Sequence, residues 1–316
     1  MRALITGVMG QDGTLLSAAL INAGWEVFGT HLASEEIPTN HPLYNGNLAA
    51  LDVTDKDRVT EVVQDIAPDV IWHLAGITSV SFSIQNPELT FSVNVGGTQN
   101  LLDAMAIHAP ESLFIHAAST EIYDASSGVI SETSTLVPRS PYAESKALAY
   151  QAVIDSRSKG LRVTNAVLSN HESYLRSTDF VTGKIANGVA RISLGLQDSL
   201  PLGNIDVEKD WSSANDIVNG LIAIAEKSFV GDVIFASGRS TSLIEILENA
   251  FAYVGIENWQ DYVKTESALI RQGESKSIRV DSSRAAKVLG WQATTPTQEW
   301  VGQMVQHHLD ALSAQL

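Results

Sequence analysis

Cysteine is absent from the 316-residue sequence, which excludes a disulfide framework and any thiolate metal site. Long hydrophobic runs are absent too, since nothing approaches the ~18 consecutive apolar residues of a membrane helix. The first residues, MRALITGVMG, lack the basic start and long apolar core of a secretory signal peptide. We therefore expect a cytoplasmic protein without a membrane partner.

Positive charge is scarce, because the chain has 20 Lys and Arg residues against 36 Asp and Glu, a formal charge of −16. The sequence has no basic cluster of the kind that binds a phosphate backbone, which argues against a nucleic-acid partner. A chain of this length can bury roughly 75% of its unfolded surface. One large domain, or one domain with a smaller lobe, is therefore expected.

The first half of the chain alternates short aliphatic runs with longer helical stretches. Runs such as RALITG, DVIWHLAG and SLFIHAAS are largely apolar, as strands buried on both faces of a parallel sheet require. A further helix is predicted through SPYAESKALAYQAVIDSRSKG, ending at Gly160. The pattern predicts an α/β fold with a Rossmann doubly wound parallel sheet of about six strands.

Beyond Asn170 the alternation weakens into helix, loops and short strands. We interpret residues 1–169 as an NAD(P)-binding domain, which the chain rejoins at about 212–238. We interpret residues 170–211 and 239–316 as a smaller α/β substrate-binding lobe.

A glycine-rich turn links the first strand to the first helix. Gly7, Gly10 and Gly13 have the spacing G-x-x-G-x-x-G directly after RALI and before TLLSAALINAG. The first glycine permits a tight turn, the second lets the backbone approach a pyrophosphate, and the third lets the helix pack near its strand. An ordinary glycine-rich turn is the alternative, but the flanking strand and helix favour a phosphate-binding turn.

The second strand leaves the choice between NAD and NADP open. An acidic residue at its end would bind the ribose of NAD and an arginine would pair with the 2′-phosphate of NADP, but Thr30-His31-Leu32 supplies neither. Asp52 follows a short apolar stretch and is placed to bind the adenine amino group. An exposed loop aspartate is the alternative there.

Tyr142 and Lys146 are four residues apart on a predicted helix and therefore share one face. A lysine there can hold ribose hydroxyls and lower the pKa of the tyrosine, which makes the tyrosine usable as an acid or base. Most isolated Y-x-x-x-K pairs belong to a solvated face. The upstream glycine turn favours the catalytic interpretation here.

Ser119 and Glu121 follow the buried run SLFIHAA. Ser119 is expected at the carboxyl edge of the sheet, where ligands of open α/β sheets bind, with its hydroxyl available to a substrate oxygen. A carboxylate at Glu121 could remove a proton from a carbon next to a ketone. A surface-loop glutamate is the alternative.

Together these motifs resemble a known superfamily, the extended short-chain dehydrogenases/reductases (NAD-dependent epimerases/dehydratases). The motifs that carry this resemblance are TGVMGQDG, HLAG at 73–76, Asn94 in SVNVGGT, Ser119, Tyr142 and Lys146. Within the superfamily the chain is most similar to the GDP-mannose 4,6-dehydratase family. That similarity rests on GQDG at 10–13, NHES at 170–173, FVTxKI at 180–185, LGNID at 202–206 with Asp210-Trp211, and RxxE at 271–274.

The resemblance implies a role for individual positions. The implied catalytic residues are Ser119, Glu121, Tyr142 and Lys146. The implied cofactor-binding residues are Gly7, Met9, Gly10, Gln11, Asp12, Gly13, His31, Asp52, Val53, Leu74, Ala75, Gly76, Asn94, Tyr142, Lys146, Asn170 and His171. The implied substrate-binding residues are Ser83, Ser119, Glu121, Asn170, Val181, Lys184, Gly203, Lys209, Arg271 and Glu274. Basic residues in an acidic protein suit a diphosphate, although each could instead be a solvated surface side chain.

Some positions depart from the family pattern. The family continues NHES with PRRG, whereas this chain has YLRS at 174–177. Lys209 replaces an arginine, which loses bidentate geometry toward phosphate. The segment after the second strand lacks the arginine pair and longer loop with which the family binds NADP and builds a tetramer. Either NADP or NAD is therefore expected as cofactor, and a homodimer is expected with a tetramer as the alternative.

The resemblance implies an enzyme, a lyase that converts GDP-mannose to GDP-4-keto-6-deoxymannose with a recycled nicotinamide cofactor. Tyr142 would remove the O4 proton and Glu121 the C5 proton. The alternative enzyme is a GDP-4-keto-6-deoxymannose reductase, or another nucleotide-sugar reductase or epimerase of the superfamily, which the short chain favours. A non-catalytic dinucleotide sensor is the third interpretation, since fold alone does not prove chemistry.

Overall fold

The computed structural model describes residues 1–266 and 279–314. Its strands are β1 (Arg2–Thr6), β2 (Glu26–His31), β3 (Asn47–Ala50), β4 (Val70–His73), β5 (Leu113–Ser119), β6 (Val129–Ile130), β7 (Val163–Leu168), β8 (Asn170–Glu172), β9 (Leu200–Leu202), β10 (Glu208–Lys209), β11 (Trp211–Ser213), β12 (Gly231–Phe235), β13 (Thr241–Ser242), β14 (Val263–Thr265) and β15 (Arg279–Val280). Its α-helices are α1 (Gln11–Asn22), α2 (Lys56–Ile66), α3 (Val80–Gln85), α4 (Pro87–Phe91), α5 (Gly97–His108), α6 (Pro141–Ser158), α7 (Val181–Ser193), α8 (Ala214–Glu226), α9 (Leu243–Tyr253), α10 (Ser283–Leu289) and α11 (Thr297–Ser313). A π-helical turn over Ser92–Gly96 joins α4 to α5.

Seven parallel strands form the main sheet in the order β12-β7-β5-β4-β1-β2-β3. The chain first moves outward from β1 to β3, then returns to the other side of β1 and continues from β4 to β12. This reversal is the doubly wound arrangement, so the predicted Rossmann sheet is confirmed. The last strand of this sheet, β12, pairs with β7.

The expected number of about six strands is wrong by one, because β3 adds a seventh strand at the sheet edge. Its four residues, NLAA, are partly exposed and contain no β-branched or aromatic side chain. A strand so short and so weakly apolar has no recognisable sequence pattern.

The carboxyl ends of the central strands meet at one edge of the sheet. The register pairs Thr6 of β1 with both Thr30 of β2 and His73 of β4. Further along, Ser119 of β5 pairs with Leu168 of β7. The glycine turn after β1 and the polar residues after β5 therefore lie along the same edge.

Helix α6, which carries Tyr142 and Lys146, has a well-defined start. The Ser140 side chain accepts a hydrogen bond from the Ala143 amide, and proline occupies the first helical position. Helix α6 ends at Ser158 with Lys159 as its C-cap, so the predicted end at Gly160 is two residues too late; Gly160 follows the cap with a left-handed φ of +95°.

Four clusters of buried hydrophobic residues form the core of the described chain, and the two largest are built from different elements. One packs Trp72, Phe235 and Trp291 among the residues of the main sheet and of the helices on one of its faces. The other is built mainly from α7, α9 and α11, with buried residues such as Phe251 and Trp300. The second core is consistent with a smaller lobe, while the division of the chain at residues 169, 211 and 238 stays a prediction. In the described part of the chain, no helix is long and apolar enough to cross a membrane.

Candidate active site

A cavity of about 610 Å³ opens at the carboxyl edge of the main sheet. It runs from the end of β2, past the glycine turn, to the ends of β4 and β5 and the start of α6. It therefore lies where the strand order reverses between β1 and β4, the position at which open α/β sheets bind ligands.

Two of the three glycines in the turn are required by close packing. Gly7 has a φ of +71°, and a Cβ there would lie 2.7 Å from Cα of Ala75. A Cβ on Gly13 would lie 2.5 Å from the Gly7 carbonyl oxygen. Gly10 is different, since its nearest neighbour would be 3.4 Å away. The space left at Gly10, at the N-terminus of α1, fits the close approach of a pyrophosphate.

Alanine substitutions should separate these roles. We expect Gly13→Ala to lower the free energy of unfolding by about 1–3 kcal/mol, because backbone atoms on both sides of the turn would have to move. Gly10→Ala should leave stability nearly unchanged yet weaken dinucleotide binding, because its methyl group projects into the space for the phosphates. Thermal unfolding and calorimetric titration measure the two quantities. Equal losses of stability in the two variants would contradict this assignment.

Tyr142, Ser119 and Lys146 all line the cavity. Burial raises the pKa of Tyr142 to about 12, and the charge of Glu121 adds to the rise. A hydrogen bond with Ser119 and the positive charge of Arg176 lower the pKa and so partly oppose this effect. Lys146 donates from Nζ to the Ala117 carbonyl at 2.9 Å, and burial lowers its pKa to about 8.

The groups that shift the pKa of Tyr142 in this structure do not include Lys146, so a lowering of this pKa by the lysine stays a prediction. The lysine is held on β5 by a backbone carbonyl, and burial of the phenol dominates the pKa of Tyr142. The cation that favours the phenolate is Arg176, the arginine of the YLRS segment. Sequence spacing could not indicate this electrostatic effect, because Arg176 lies outside the helix that carries the tyrosine.

Two predicted ligand-binding residues instead hold neighbouring backbone in place. Asn94 is buried, donates to the Ile77 carbonyl at 3.1 Å and to Ser145 Oγ at 2.9 Å, and accepts from the Ile77 amide at 2.8 Å. Ser83 is buried too, and its hydroxyl accepts a hydrogen bond from the Tyr142 amide at 3.1 Å. Both residues therefore position α6, and neither lines the cavity.

Residues of the GQDG motif at 10–13 form hydrogen bonds with residues of the NHES motif at 170–173. His171 Nε2 lies 2.8 Å from Asp12 Oδ2. Gln11 donates to the His171 carbonyl at 3.1 Å and accepts from the Ser173 hydroxyl at 2.9 Å. Burial disfavours both charges, but the attraction between the partners outweighs it, so the pKa of Asp12 is lowered and that of His171 is raised. These contacts fix β8 against the glycine turn.

The Asp12–His171 pair should make a pH-dependent contribution to stability. Because the pKa of His171 rises above its ordinary value of 6.5 on folding, its contribution is complete below pH 6.5 and is lost as the pH rises through the folded value. Because the pKa of Asp12 falls below 3.8, its contribution is present above that pH and is lost in stronger acid. The pair therefore stabilises most between about pH 4 and 6.5.

We expect Asp12→Asn to lower the free energy of unfolding by about 1–3 kcal/mol at pH 5.5, and by less at pH 8.5. Urea unfolding at the two pH values measures the difference. Asp198→Asn, at an exposed loop position, is the matched control and should have little effect at either pH. The same loss at both pH values would show that the ion pair has no part in pH dependence.

Glu121 and Lys209 meet beside the cavity. Lys209 Nζ lies 3.5 Å from Glu121 Oε1, and the Glu121 amide donates to Ser119 Oγ at 3.2 Å. The Glu121 side chain is 36% exposed, so it remains accessible to a ligand. The predicted base and a predicted diphosphate ligand thus lie together next to Tyr142.

Most predicted cofactor positions line the cavity, and several predicted substrate positions do not. The predicted residues that line it are Gly7, Gly10, Gln11, Asp12, Gly13, His31, Asp52, Val53, Leu74, Ala75, Gly76, Ser119, Tyr142, Lys146, Asn170 and His171. Those described but not among its lining residues are Met9, Ser83, Asn94, Glu121, Val181, Lys184, Gly203 and Lys209. Arg271 and Glu274 lie outside the described residues. The roles of all these residues stay predictions.

The cavity also has lining residues that the sequence interpretation missed. Arg176 donates to Glu172 at 2.6 Å, and its guanidinium lies 4.7 Å from the centre of the Phe180 ring. Glu35 lines the opposite end, beyond β2. The position of Glu35 four residues after the end of a strand was a usable signal, because loops at the carboxyl ends of parallel strands line such sites.

The Rossmann sheet, the glycine turn and the Ser119, Tyr142 and Lys146 set define an extended short-chain dehydrogenase/reductase. Among solved structures, the chain is similar to RMD from Pseudomonas aeruginosa complexed with NADPH, with a TM-score of 0.83 and 24% identity over 98% of this chain and 99% of that one. It is also similar to the UDP-glucose 4-epimerase of Thermus thermophilus in complex with NAD, with a TM-score of 0.84 and 23% identity over 98% and 99% of the two chains.

The chain belongs to the GDP-mannose 4,6-dehydratase family, whose model matches residues 4–304. One curated relative is GDP-mannose 4,6 dehydratase 2 of Arabidopsis thaliana, 34% identical over 98% of this chain and 87% of the relative. The resemblance inferred from the sequence motifs is thereby confirmed.

Proposed function

We propose that this protein is a GDP-mannose 4,6-dehydratase, an enzyme that removes one molecule of water from a nucleotide sugar. The observation that carries the proposal is that Ser119 and Tyr142 line one end of a cavity that runs past the glycine turn, with Glu121 hydrogen-bonded to Ser119 through its amide. Family membership supports the same reaction and the same class of substrate.

The cavity fits a nicotinamide dinucleotide. The open space at Gly10 suits the pyrophosphate, Asp52 would face the adenine, and Lys146 would donate a hydrogen bond to a ribose hydroxyl. When bound, such a cofactor accepts a hydride from the substrate and later returns it. The protein's own part is to hold the sugar and move protons.

Tyr142 is the proposed acid and base of the first step. As the C4 hydrogen leaves as hydride, Tyr142 takes the proton of the O4 hydroxyl, and a 4-ketone forms. Tyr142 must be a phenolate to do this, and its hydrogen bond with Ser119 and the charge of Arg176 favour that form against the cost of burial. Once Tyr142 carries the O4 proton, the one hydroxyl hydrogen of Ser119 can turn to the new carbonyl oxygen.

Glu121 is the proposed base of the second step. The new ketone acidifies the C5 hydrogen, so Glu121 takes this proton and passes it to the C6 hydroxyl, which leaves as water. Hydride returned to C6 and a proton added to C5 complete the 4-keto-6-deoxy sugar. The proton that Tyr142 took from O4 balances the one gained at C5, so the net change is the loss of water.

The smaller lobe is the proposed site of the nucleotide part of the substrate. Lys184 and Lys209 offer positive charge to the diphosphate, and the Glu121–Lys209 pair would exchange partners when the diphosphate binds. Arg271 and Glu274 stay proposed ligands from the sequence resemblance. The homodimer and the cytoplasmic location stay predictions.

The direct test is to incubate the full-length protein with GDP-mannose and a substoichiometric amount of NAD or NADP and to follow the product by mass. Loss of one water without net reduction of the cofactor is the expected result. Oxidation of reduced cofactor with a 4-keto-6-deoxy nucleotide sugar, and no reaction with GDP-mannose, would replace the dehydratase by a reductase.

A further inference from the structure

The adenosine end of the cavity contains an acidic side chain that the sequence interpretation did not identify. The residues that line this end are Thr30, His31, Leu32, Glu35, Leu51, Asp52 and Val53. They are the last two residues of β2 and residues of the segments that follow β2 and β3, where the ribose next to adenine lies in a dinucleotide-binding sheet. The 2′-hydroxyl of NAD or the 2′-phosphate of NADP would face this part of the wall.

Glu35 is fixed at the end of β2 by a closed turn. Its Oε2 accepts a hydrogen bond from the Leu32 amide at 2.7 Å, and its own amide donates to the Leu32 carbonyl at 2.9 Å. The carboxylate is therefore held against the strand end, and its other oxygen, Oε1, is an acceptor for a hydroxyl group.

His31 adds a second acceptor. Its Nδ1 lies 2.8 Å from the Leu32 carbonyl oxygen, and because a carbonyl only accepts, Nδ1 carries the hydrogen. In the neutral ring Nε2 is then an acceptor. Both side chains at this strand end thus suit a hydroxyl donor.

The lysines and arginines of the cavity wall lie far from Glu35. In the described part of the chain, the lysines and arginines that line the cavity are Lys146 and Arg176. Lys146 is bound to β5, three strands from β2, which at the usual strand spacing is roughly 14 Å. Arg176 is paired with Glu172 on the same far side. Neither can neutralise a phosphate next to Glu35.

We propose that Glu35 makes this protein select NAD over NADP. The carboxylate accepts a hydrogen bond from the 2′-hydroxyl of NAD, whereas the 2′-phosphate of NADP would bring two negative charges against it where, among the described residues, no lysine or arginine of the cavity wall compensates them. The inference rests on the proposed function only in that the cavity binds a nicotinamide dinucleotide.

The test is equilibrium binding by calorimetry to the full-length protein, after removal of any copurified dinucleotide. NAD should bind the unmodified protein at least tenfold more tightly than NADP. Glu35→Gln, which keeps the size and loses the charge, should reduce this preference about tenfold, chiefly by tightening NADP. Glu36→Gln removes an adjacent charge that does not line the cavity and should leave the ratio unchanged. Circular dichroism and melting temperature verify that both variants fold.

Three results would overturn the inference. Tighter binding of NADP by the unmodified protein would overturn it and leave the proposed dehydratase intact. An equal change of the ratio in Glu35→Gln and Glu36→Gln would reduce the effect to general electrostatics and overturn the specific role of Glu35. Binding of neither dinucleotide would overturn both this inference and the cofactor part of the proposed function.

Discussion

Tyr142→Phe is expected to reduce turnover by about 10²–10⁴-fold, because it removes the hydroxyl group proposed to move the O4 proton. The ring stays, so packing of α6 and dinucleotide binding should be retained. Initial rates with GDP-mannose, together with a dinucleotide titration, measure both quantities. The hydrogen bond with Ser119 is lost in the variant, but a bond of this kind contributes only about 1 kcal/mol to stability.

Tyr150→Phe is the matched control for this variant. Tyr150 is a buried tyrosine eight residues along the same helix, and it does not line the cavity. Its substitution should leave turnover nearly unchanged. Undiminished turnover in Tyr142→Phe would remove the tyrosine from the mechanism. If the unmodified protein has no turnover, and both variants bind a dinucleotide equally well, the result would instead fit the sensor interpretation.

Glu121→Gln should abolish dehydration with a similar loss of about 10²–10⁴-fold, because an amide cannot take the C5 proton. Cofactor and substrate binding should persist. The variant keeps the shape of the side chain, and the partly exposed ion pair with Lys209 contributes little to stability. Product analysis by mass after single-turnover incubation measures the loss directly.

Glu144→Gln provides the comparison, since Glu144 is an exposed glutamate in the first turn of α6, close to Tyr142 in sequence. The Glu144→Gln variant should convert GDP-mannose at the rate of the unmodified protein. Dehydration by Glu121→Gln at the control's rate would mean that another group removes the C5 proton. In a reductase, the two variants would retain similar activity with a keto sugar.

The fold could be predicted largely because its central strands are continuous apolar runs followed by helices. The glycine turn and the strand containing Trp72 have local patterns that define a parallel sheet without knowledge of any tertiary contact. Strand β3 could not be predicted in this way, because its four residues lack an apolar or β-branched pattern. The strand is defined by its pairing with β2.

The lining of the candidate cavity could be predicted where it depends on local spacing, but not where it depends on contacts between distant parts of the chain. The pairing of Asp12 with His171 joins residues 159 positions apart, and only the folded chain reveals it. Ser83 and Asn94 have the chemistry of ligand-binding residues, but burial gives them hydrogen bonds to the protein itself. The pKa of Tyr142 likewise depends on burial, which a Y-x-x-x-K spacing does not describe.

The most direct test of the account is the fate of the C4 hydrogen. GDP-mannose carrying deuterium at C4 would be converted by the full-length protein with catalytic dinucleotide, and the product examined by mass and by NMR. A dehydratase that recycles its cofactor retains the deuterium and transfers it to C6 of the 4-keto-6-deoxy sugar. Deuterium found in the recovered dinucleotide, or still at C4 of an intact hexose, would contradict the account.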